Sequence, residues 1–284
     1  MTTVAPTDTF SIGGDLPVHR LGYGAMQLPG PGVWGEPADP DNARRVLRAA
    51  VEQGVDFIDT ADSYGPVVSE RLIAEALHPY PEGLVIATKA GLTRQGPGIW
   101  TPVGRPAYLK QQVELSLRTL RLERIDLIQL HRIDAEVPLA DQLGAFKELQ
   151  DEGKVRHIGV SEVSVAELEQ ARRIVDVVSV QNLYNLTNRQ SQDVLDHATE
   201  HGIGFIPWFP IATGDLAAPD SPVADIAREL DATPSQVALA WLLHTSPVVL
   251  PIPGTKSLDH LAENLGAAQL RLSDEDMARL DALA

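Results

Sequence analysis

The sequence predicts an α/β protein folded as one (β/α)8 TIM barrel, a single domain that spans residues 1–284. Three observations support this prediction. Eight short β-type runs alternate with stretches of helical period, and no Ser/Gly-rich linker or change of composition divides the chain. The length of 284 residues suits such barrels, which commonly have about 250 residues.

The first predicted element is a short N-terminal β-hairpin, residues 10–12 and 16–18, with Gly13 and Gly14 as its turn. Eight strands follow, each a run rich in β-branched or other apolar residues. They are predicted at residues 21–25, 55–58, 84–88, 125–130, 155–160, 177–181, 204–208 and 248–252. The helical stretches between them include residues 41–53, 107–120, 139–152 and 164–175.

An open, doubly wound sheet is the alternative architecture. It would place a glycine-rich dinucleotide fingerprint after the first strand. The G-x-G in the first predicted strand is Gly22-Tyr23-Gly24, which lacks the third glycine and is not followed by a helical stretch. The closed barrel is therefore the better prediction.

The composition narrows the classes of partner and compartment. Thirty-nine acidic against 23 basic residues give a net charge of −16, which disfavours nucleic acid and anionic membrane surfaces as partners. No apolar run approaches the roughly 18 residues of a membrane helix, and the first residues lack the pattern of a signal peptide. The chain has no cysteine, so thiolate metal sites and a cysteine nucleophile are excluded. We expect a cytoplasmic protein.

Polar residues capable of chemistry stand where the predicted strands end. In a barrel of this type, catalytic groups lie at the C-terminal ends of the strands. The residues at or just after these ends are Asp59 and Tyr64, Lys89, His131, Ser161, Gln181 and Trp208.

Each of these residues has a structural explanation when taken alone. Asp59 could cap a turn, Lys89 could be solvated, and His131 could be a hydrogen-bonded core histidine. Taken together they favour a site, because an unpaired charge at a barrel rim costs several kcal/mol. We therefore predict that Lys89 and its neighbours are partners of one another.

These residues resemble the Asp, Tyr, Lys, His tetrad of the aldo-keto reductases, in the same order and at the same strands. Asp59 and Tyr64 are separated by four residues, and His131 lies in LIQLHR. Further similar stretches are HIGVS at 157–161, VQNLYN at 180–185, IPGT at 252–255 and AENL at 262–265. Residues 20–37 and PWFP at 207–210 are most similar to a short bacterial branch of the family that includes pyridoxal reductases.

The resemblance implies an NAD(P)H-dependent enzyme that reduces an aldehyde or ketone to an alcohol. Hydride addition to a carbonyl needs an acid at the oxygen, and Tyr64 would supply that proton. Lys89 would lower the pKa of Tyr64, Asp59 would orient Lys89, and His131 would hold the carbonyl. This chemistry requires no metal, and we predict none.

The resemblance also assigns the cofactor residues. Ser161 and Gln181 match positions that bind the nicotinamide carboxamide, and Trp208 matches the aromatic residue that stacks on its ring. Glu162 departs from the family, which has Asn beside this Ser, and a Glu has no amide donor. The other predicted cofactor residues are Pro210, Gly254, Thr255, Lys256, His260, Glu263 and Asn264.

The choice between NADPH and NADH depends on the loop after strand eight. Relatives that prefer NADPH have a Lys and an Arg where this chain has Gly254 and His260. Lys256 can still supply a cation to the 2′-phosphate, and His260 a second when it is protonated. We expect NADPH to bind better, with NADH possible.

The substrate is expected to be a small carbonyl compound, and aromatic residues in the long loops suggest its class. Trp34, Trp100 and Phe209 fall in loops at the same face of the barrel, whereas Trp241 lies in a helical stretch and is expected in the core. Pyridoxal or another aromatic aldehyde fits this prediction. We expect a monomer or a weak homo-oligomer.

Two other functions remain open from the sequence. The chain could be a regulatory barrel that binds the cofactor without turnover, because a fold alone does not establish catalysis. It could also be a lyase that uses Lys89 as a Schiff-base nucleophile.

Overall fold

A computed structural model describes residues 8–211 and 221–283. The chain begins with the predicted hairpin, in which β1 (Thr9–Ile12) pairs antiparallel with β2 (Leu16–His19). Gly13 and Gly14 have φ of +63° and +82°, which a turn of this hand requires and which glycine adopts at little cost. The prediction of the hairpin is confirmed.

A seven-stranded parallel sheet forms the centre of the fold. Its strands are β3 (Tyr23–Gly24), β4 (Phe57–Asp59), β5 (Val85–Ala90), β8 (Ile125–Leu130), β9 (Val155–Ser161), β10 (Val177–Gln181) and β11 (Gly204–Phe205). Between β5 and β8 the chain forms a separate hairpin of β6 (Leu92–Gly96) and β7 (Ile99–Pro102). The order in the sheet is β11-β10-β9-β8-β5-β4-β3, so consecutive strands are neighbours once the β6–β7 hairpin is set aside. The α/β class is confirmed, and that hairpin is a feature that we had predicted as loop.

Helices connect the strands and cover the sheet. They are α1 (Pro40–Glu52), α2 (Val68–Leu77), α3 (Pro106–Leu120), α4 (Leu139–Asp151), α5 (Val165–Arg172), α6 (Gln192–His201), α7 (Pro222–Glu229), α8 (Pro234–Thr245), α9 (Leu258–Gly266) and α10 (Asp274–Asp281). Ser164, Thr233 and Ser273 each begin a helix with a capping box. Among the described helices, none combines the length and the apolar character needed to cross a membrane.

The predicted eighth strand, residues 248–252, is not a regular strand. The segment around it nevertheless bonds to both edges of the sheet: Phe205 exchanges backbone hydrogen bonds with it on one side, and Gly22 and Gly24 donate to it on the other. Pro251 and Pro253 have no N–H, so a regular ladder cannot continue here. The segment therefore links the two edges of a curled sheet.

Period-two alternation decides which strand residues face the interior. Phe57, Val85, Ala87 and Leu127 form a buried cluster with residues of the N-terminal hairpin. Asp59, Lys89 and Gln129 lie two residues beyond Phe57, Ala87 and Leu127, so they share that face, one step nearer the C-terminal end. The hairpin fills one end of the interior, and polar side chains fill the other.

Candidate active site

Lys89 is the centre of the polar cluster. It lies within β5, its side chain is fully buried, and its register partner on β8 is Gln129. The Nζ atom donates to Asp59 Oδ1 at 2.5 Å and to the Thr60 carbonyl at 2.8 Å. It also lies 3.4 Å from the Tyr64 hydroxyl. Lys89 therefore connects the end of β4 with the loop that carries Tyr64.

Asp59 is fixed on its other oxygen by two amides. Gln129 Nε2 and Gln181 Nε2 donate to Asp59 Oδ2 at 3.1 and 2.9 Å. A buried carboxylate with three donors is well compensated, and its orientation is set by three different strands. Gln129 was not among the predicted site residues, although its place at the end of an apolar strand could have indicated it.

The electrostatics keep Lys89 charged and Tyr64 protonated. Burial acts to lower the pKa of Lys89, but the charges of Asp59 and Tyr64 outweigh it, and the net shift is upward. Burial raises the pKa of Tyr64, and the opposing effect of Lys89 does not overcome it. The pKa of Tyr64 is therefore raised rather than lowered, which corrects the sequence-based expectation: in this enclosed site, desolvation outweighs the nearby cation.

His131 lies beside Tyr64 as a neutral ring. Its centroid is 5.9 Å from that of Tyr64, and Ser63 Oγ lies 3.3 Å from its Nδ1. Burial, followed by the charges of Lys89 and Arg132, holds the pKa of His131 well below its usual range. In the neutral tautomer whose Nδ1 accepts a hydrogen bond from Ser63, the ring proton is on Nε2, where it can donate to a ligand.

Two cavities meet at Tyr64. The first has a volume of about 420 Å³ and runs to α9, and the second has about 370 Å³ and is bordered by the β6–β7 hairpin. Both are lined by Met26, Tyr64, Gln181 and Trp208. The tyrosine hydroxyl therefore lies where ligands in the two cavities would come together.

The first cavity contains most of the predicted cofactor residues. Its lining includes Gln181, Trp208, Pro210, Gly254, Thr255, His260, Glu263 and Asn264. Ser161 lines the second cavity instead. Lys256 lines neither, and its Nζ lies 3.3 Å from the carbonyl oxygen of Pro29.

The three predicted substrate aromatics are separated by the structure. Trp100 lines the second cavity, with its ring 6.2 Å from that of Tyr64. Phe209 is exposed and borders the first cavity, whereas Trp34 lines neither and packs against Arg94. Residues 212–220 of the loop that we had predicted after Phe209 lie outside the described residues.

Glu162 is turned toward Trp208. Its φ is +56°, and its Oε1 accepts hydrogen bonds from Trp208 Nε1 at 2.6 Å and from the backbone of Leu183 at 2.7 Å. The carboxylate at this position therefore fixes the indole predicted to stack on the cofactor.

Two further carboxyl groups are buried behind the cluster. Burial raises the pKa of Glu70 to about 7, and Thr88 donates a hydrogen bond to it at 2.7 Å. Burial and the charge of Glu70 raise the pKa of Asp62 well above its usual range. Both carboxyl groups are therefore harder to ionise than ordinary acidic side chains.

The prediction that no metal is needed stays a prediction. Within residues 8–211 and 221–283, one group of metal-ligating type is found, formed by Glu169, His197 and His201 on α5 and α6. Glu169 is already paired with Arg172, whose Nη1 lies 2.5 Å from its Oε1.

A buried Lys–Asp pair, a tyrosine whose pKa is raised and a histidine whose pKa is lowered lie together beside two joined cavities, and these are groups that proton transfer to a ligand oxygen requires. The aldo/keto reductase family matches residues 20–284, and the chain belongs to this family. The predicted enzyme class is therefore confirmed.

Individual relatives agree with this assignment. An uncharacterised oxidoreductase of Schizosaccharomyces pombe is 50% identical over 268 residues, 94% of this chain and 87% of that protein. Pyridoxine 4-dehydrogenase of Escherichia coli is 43% identical over 284 residues, 98% of this chain and 99% of that protein.

A solved structure extends the agreement to the fold. An aldo-keto reductase from Klebsiella pneumoniae in complex with NADPH has a TM-score of 0.84 and 27% identity, and the match covers 100% of this chain and 95% of that one. Likeness to such structures implies the (β/α)8 barrel, with the segment around residues 248–252 in the place of the eighth strand.

Proposed function

We propose that this protein reduces an aldehyde or ketone of a small molecule to the alcohol with NADPH, and that Tyr64 is the proton donor. The observation that carries the proposal is the position of Tyr64 between the two cavities, with its hydroxyl 3.4 Å from the buried Lys89.

The donors and acceptors near the junction fit a nicotinamide. Gln181 donates through Nε2 to Asp59 and Gln129, and among the described residues its Oε1 accepts no hydrogen bond. Ser161 Oγ accepts from Arg132 at 3.1 Å and keeps its own proton to donate. One acceptor and one donor complement the amide N–H and the oxygen of a carboxamide, while Trp208 offers a ring to the nicotinamide. When bound, NADPH supplies the hydride.

The residues of the chain supply the proton and hold the substrate oxygen. The raised pKa of Tyr64 keeps its proton in place until the carbonyl oxygen gains negative charge. The phenolate that remains is stabilised by Lys89, whose charge Asp59 balances. His131, neutral and beside Tyr64, donates a second hydrogen bond to the same oxygen and orients the carbonyl.

The phosphates of the cofactor are assigned to the far end of the first cavity. The N-terminus of α9 opens there, with Ser257 as its cap and His260 in its first turn. A helix N-terminus favours a phosphate through its free N–H groups. Lys256 can contribute a cation if its side chain turns from Pro29 toward the cavity.

The contacts of Lys89 argue against a Schiff-base lyase. Its ammonium group has three hydrogens, and the three oxygens within hydrogen-bond distance belong to Asp59, Thr60 and Tyr64. Because its pKa is raised, the amine has no free lone pair with which to attack a carbonyl. The regulatory alternative is disfavoured because the complete tetrad is assembled, and it is tested by turnover.

An aromatic aldehyde is the substrate class that we favour. Leu92, Trp100 and Pro102 give the second cavity an apolar wall, which suits a flat ring. The Escherichia coli relative is named for a reaction at pyridoxine, which supports pyridoxal as one member of this class.

The test is Tyr64→Phe, assayed by NADPH oxidation with a panel of aldehydes and ketones that includes pyridoxal. We expect kcat to fall by on the order of a hundredfold or more, with NADPH affinity unchanged, because only the proton donor is removed. Tyr80→Phe is the matched control, since that hydroxyl donates to the Leu120 carbonyl away from both cavities. Turnover of Tyr64→Phe close to that of the control would contradict the proposal.

A further inference from the structure

Arg132 follows His131 directly and lines the second cavity. Its Nη1 donates to the carbonyl oxygen of His131 at 2.6 Å and to Ser161 Oγ at 3.1 Å, which uses both hydrogens of that nitrogen. A guanidinium carries five N–H donors. Among residues 8–211 and 221–283, nothing accepts from its Nε or Nη2, and no carboxylate lies within ion-pair distance. Three donors of a partly buried cation are therefore unused.

Arg94, the other arginine near the site, shows what a purely structural arginine looks like in this chain. Its Nε, Nη1 and Nη2 all donate to backbone carbonyls, among them those of Val33 and Ser63. Its guanidinium also covers the ring of Trp100 at 3.5 Å. Arg94 thus holds the loops of the pocket together, whereas Arg132 keeps donors for something else.

Glu162 acts on Arg132 through its charge but forms no ion pair with it. Glu162 is the carboxylate whose charge acts most on Arg132, yet its Oε1 accepts from Trp208 and Leu183. Burial acts on Arg132 by lowering its pKa, but an arginine stays charged at neutral pH. The wall of the second cavity therefore carries a guanidinium that has no ion-pair partner among the described residues, although the whole chain has a charge of −16.

We infer that Arg132 forms an anion subsite, which binds a negatively charged oxygen of the carbonyl substrate beside His131 and Ser161. The inference rests on the proposed function and names its substrate class: small aldehydes that also bear a carboxylate, a phenolate or a phosphate. The planar fork of a guanidinium matches such groups with two parallel hydrogen bonds, which a neutral amide cannot fully replace. Unused donors that gain a partner only with the anionic substrate discriminate against uncharged analogues.

The first test compares substrates that differ in charge but hardly in shape. The 2-, 3- and 4-isomers of carboxybenzaldehyde are each paired with the corresponding formylbenzamide, and kcat/KM is measured with NADPH. For at least one isomer we expect the acid to exceed the amide by on the order of tenfold or more, which is the range of a charge-assisted hydrogen bond.

Variants of Arg132 test whether the preference for the acid over the amide comes from this residue. In Arg132→Gln the ratio of acid to amide should fall to about one, and in Arg132→Lys it should fall only in part, because the charge remains while the fork is lost. Arg45→Gln removes the same charge from an exposed position on α1 and should leave the ratio as it was. Calorimetric titration with the carboxybenzyl and carbamoylbenzyl alcohols gives a second readout without turnover, in which Arg132→Gln should weaken binding of the acid alone.

Each remaining outcome has one meaning. A ratio near one in the natural chain for every isomer would overturn the inference, and so would a ratio that survives Arg132→Gln. An equal loss for acid and amide, together with weaker NADPH binding, would assign Arg132 to the cofactor and also overturn it. Absence of turnover with every aldehyde, the neutral amides included, would instead contradict the proposed function; the alcohol titrations would then still test the subsite.

Discussion

The two sides of the site are built in different ways. Around Lys89 the side chains of Asp59, Gln129 and Gln181 are buried and hydrogen-bonded to one another from different strands, so their positions are fixed without a ligand. Around α9, Lys256 and His260 are exposed, and the side-chain nitrogen of Lys256 has one long contact to a backbone carbonyl. The sheet therefore fixes the Lys89 cluster before a ligand binds, whereas contacts of Lys256 and His260 to the phosphate of the cofactor, as proposed above, would form only on binding.

The largest effect is expected from a substitution in the buried cluster around Lys89. Lys89→Met leaves Asp59 buried without its cation, and removing one partner of a buried pair costs about 3 to 5 kcal/mol of unfolding free energy. Turnover should be lost as well, since nothing then stabilises the Tyr64 phenolate. Chemical denaturation and NADPH oxidation measure the two effects.

The same substitution at Lys256, in the loop before α9, is the matched control. Lys256→Met should change the unfolding free energy by less than about 0.5 kcal/mol, because this side chain is exposed. If the two variants were equally stable, the contrast between the two sides would be wrong.

A smaller effect is expected from the buried carboxyl behind Lys89. The pKa of Glu70 is raised to about 7 in the folded protein, whereas an unfolded glutamate titrates near its ordinary value of about 4.3. Its contribution to stability is therefore full at low pH and is lost as the pH rises toward 7. The loss is on the order of 3 to 4 kcal/mol.

Glu70→Gln tests this pH dependence. The amide keeps an oxygen to accept from Thr88 but cannot ionise. Relative to the natural chain, the variant should gain unfolding free energy between about pH 5 and pH 7 and should then keep a constant advantage, since the window follows the two pKa values. Parallel stability curves across that range would show that Glu70 is not titrating there.

The convergence of the four polar residues could be predicted because the ends of the strands can be located in the sequence. Asp59, Lys89 and His131 follow apolar runs whose period fixes the inner face, so their convergence needed only the strand order. The edge of the fold was harder to predict. Prolines at 251 and 253 prevent a regular eighth strand, and Pro207 ends β11 early, although the runs around them are rich in Val and Ile.

Properties that depend on exact contacts could not be read from the sequence. Burial raises the pKa of Tyr64 and the charge of Lys89 lowers it. The balance between these two effects depends on the depth of burial and on the distance between the groups, which the sequence does not show. The sequence LIQLHR likewise gives no indication of the unused donors of Arg132, because an arginine after a strand is usually exposed to solvent. The cytoplasmic location and the oligomeric state stay predictions.

The smallest effect concerns Glu162, which joins the two sides through Trp208. Its carboxylate accepts from the indole N–H at 2.6 Å, and Glu162→Gln keeps an acceptor but removes the charge that strengthens this bond. We expect NADPH to bind more weakly by about 0.5 to 1 kcal/mol, with kcat nearly unchanged, because a ring held less firmly stacks less well. NADPH titration followed by tryptophan fluorescence measures the affinity, and Trp208→Ala sets the upper limit at roughly 1 kcal/mol or more. A double variant that is no weaker than Trp208→Ala alone would confirm that Glu162 acts through the indole, whereas additive losses would give the carboxylate a separate role at the cofactor.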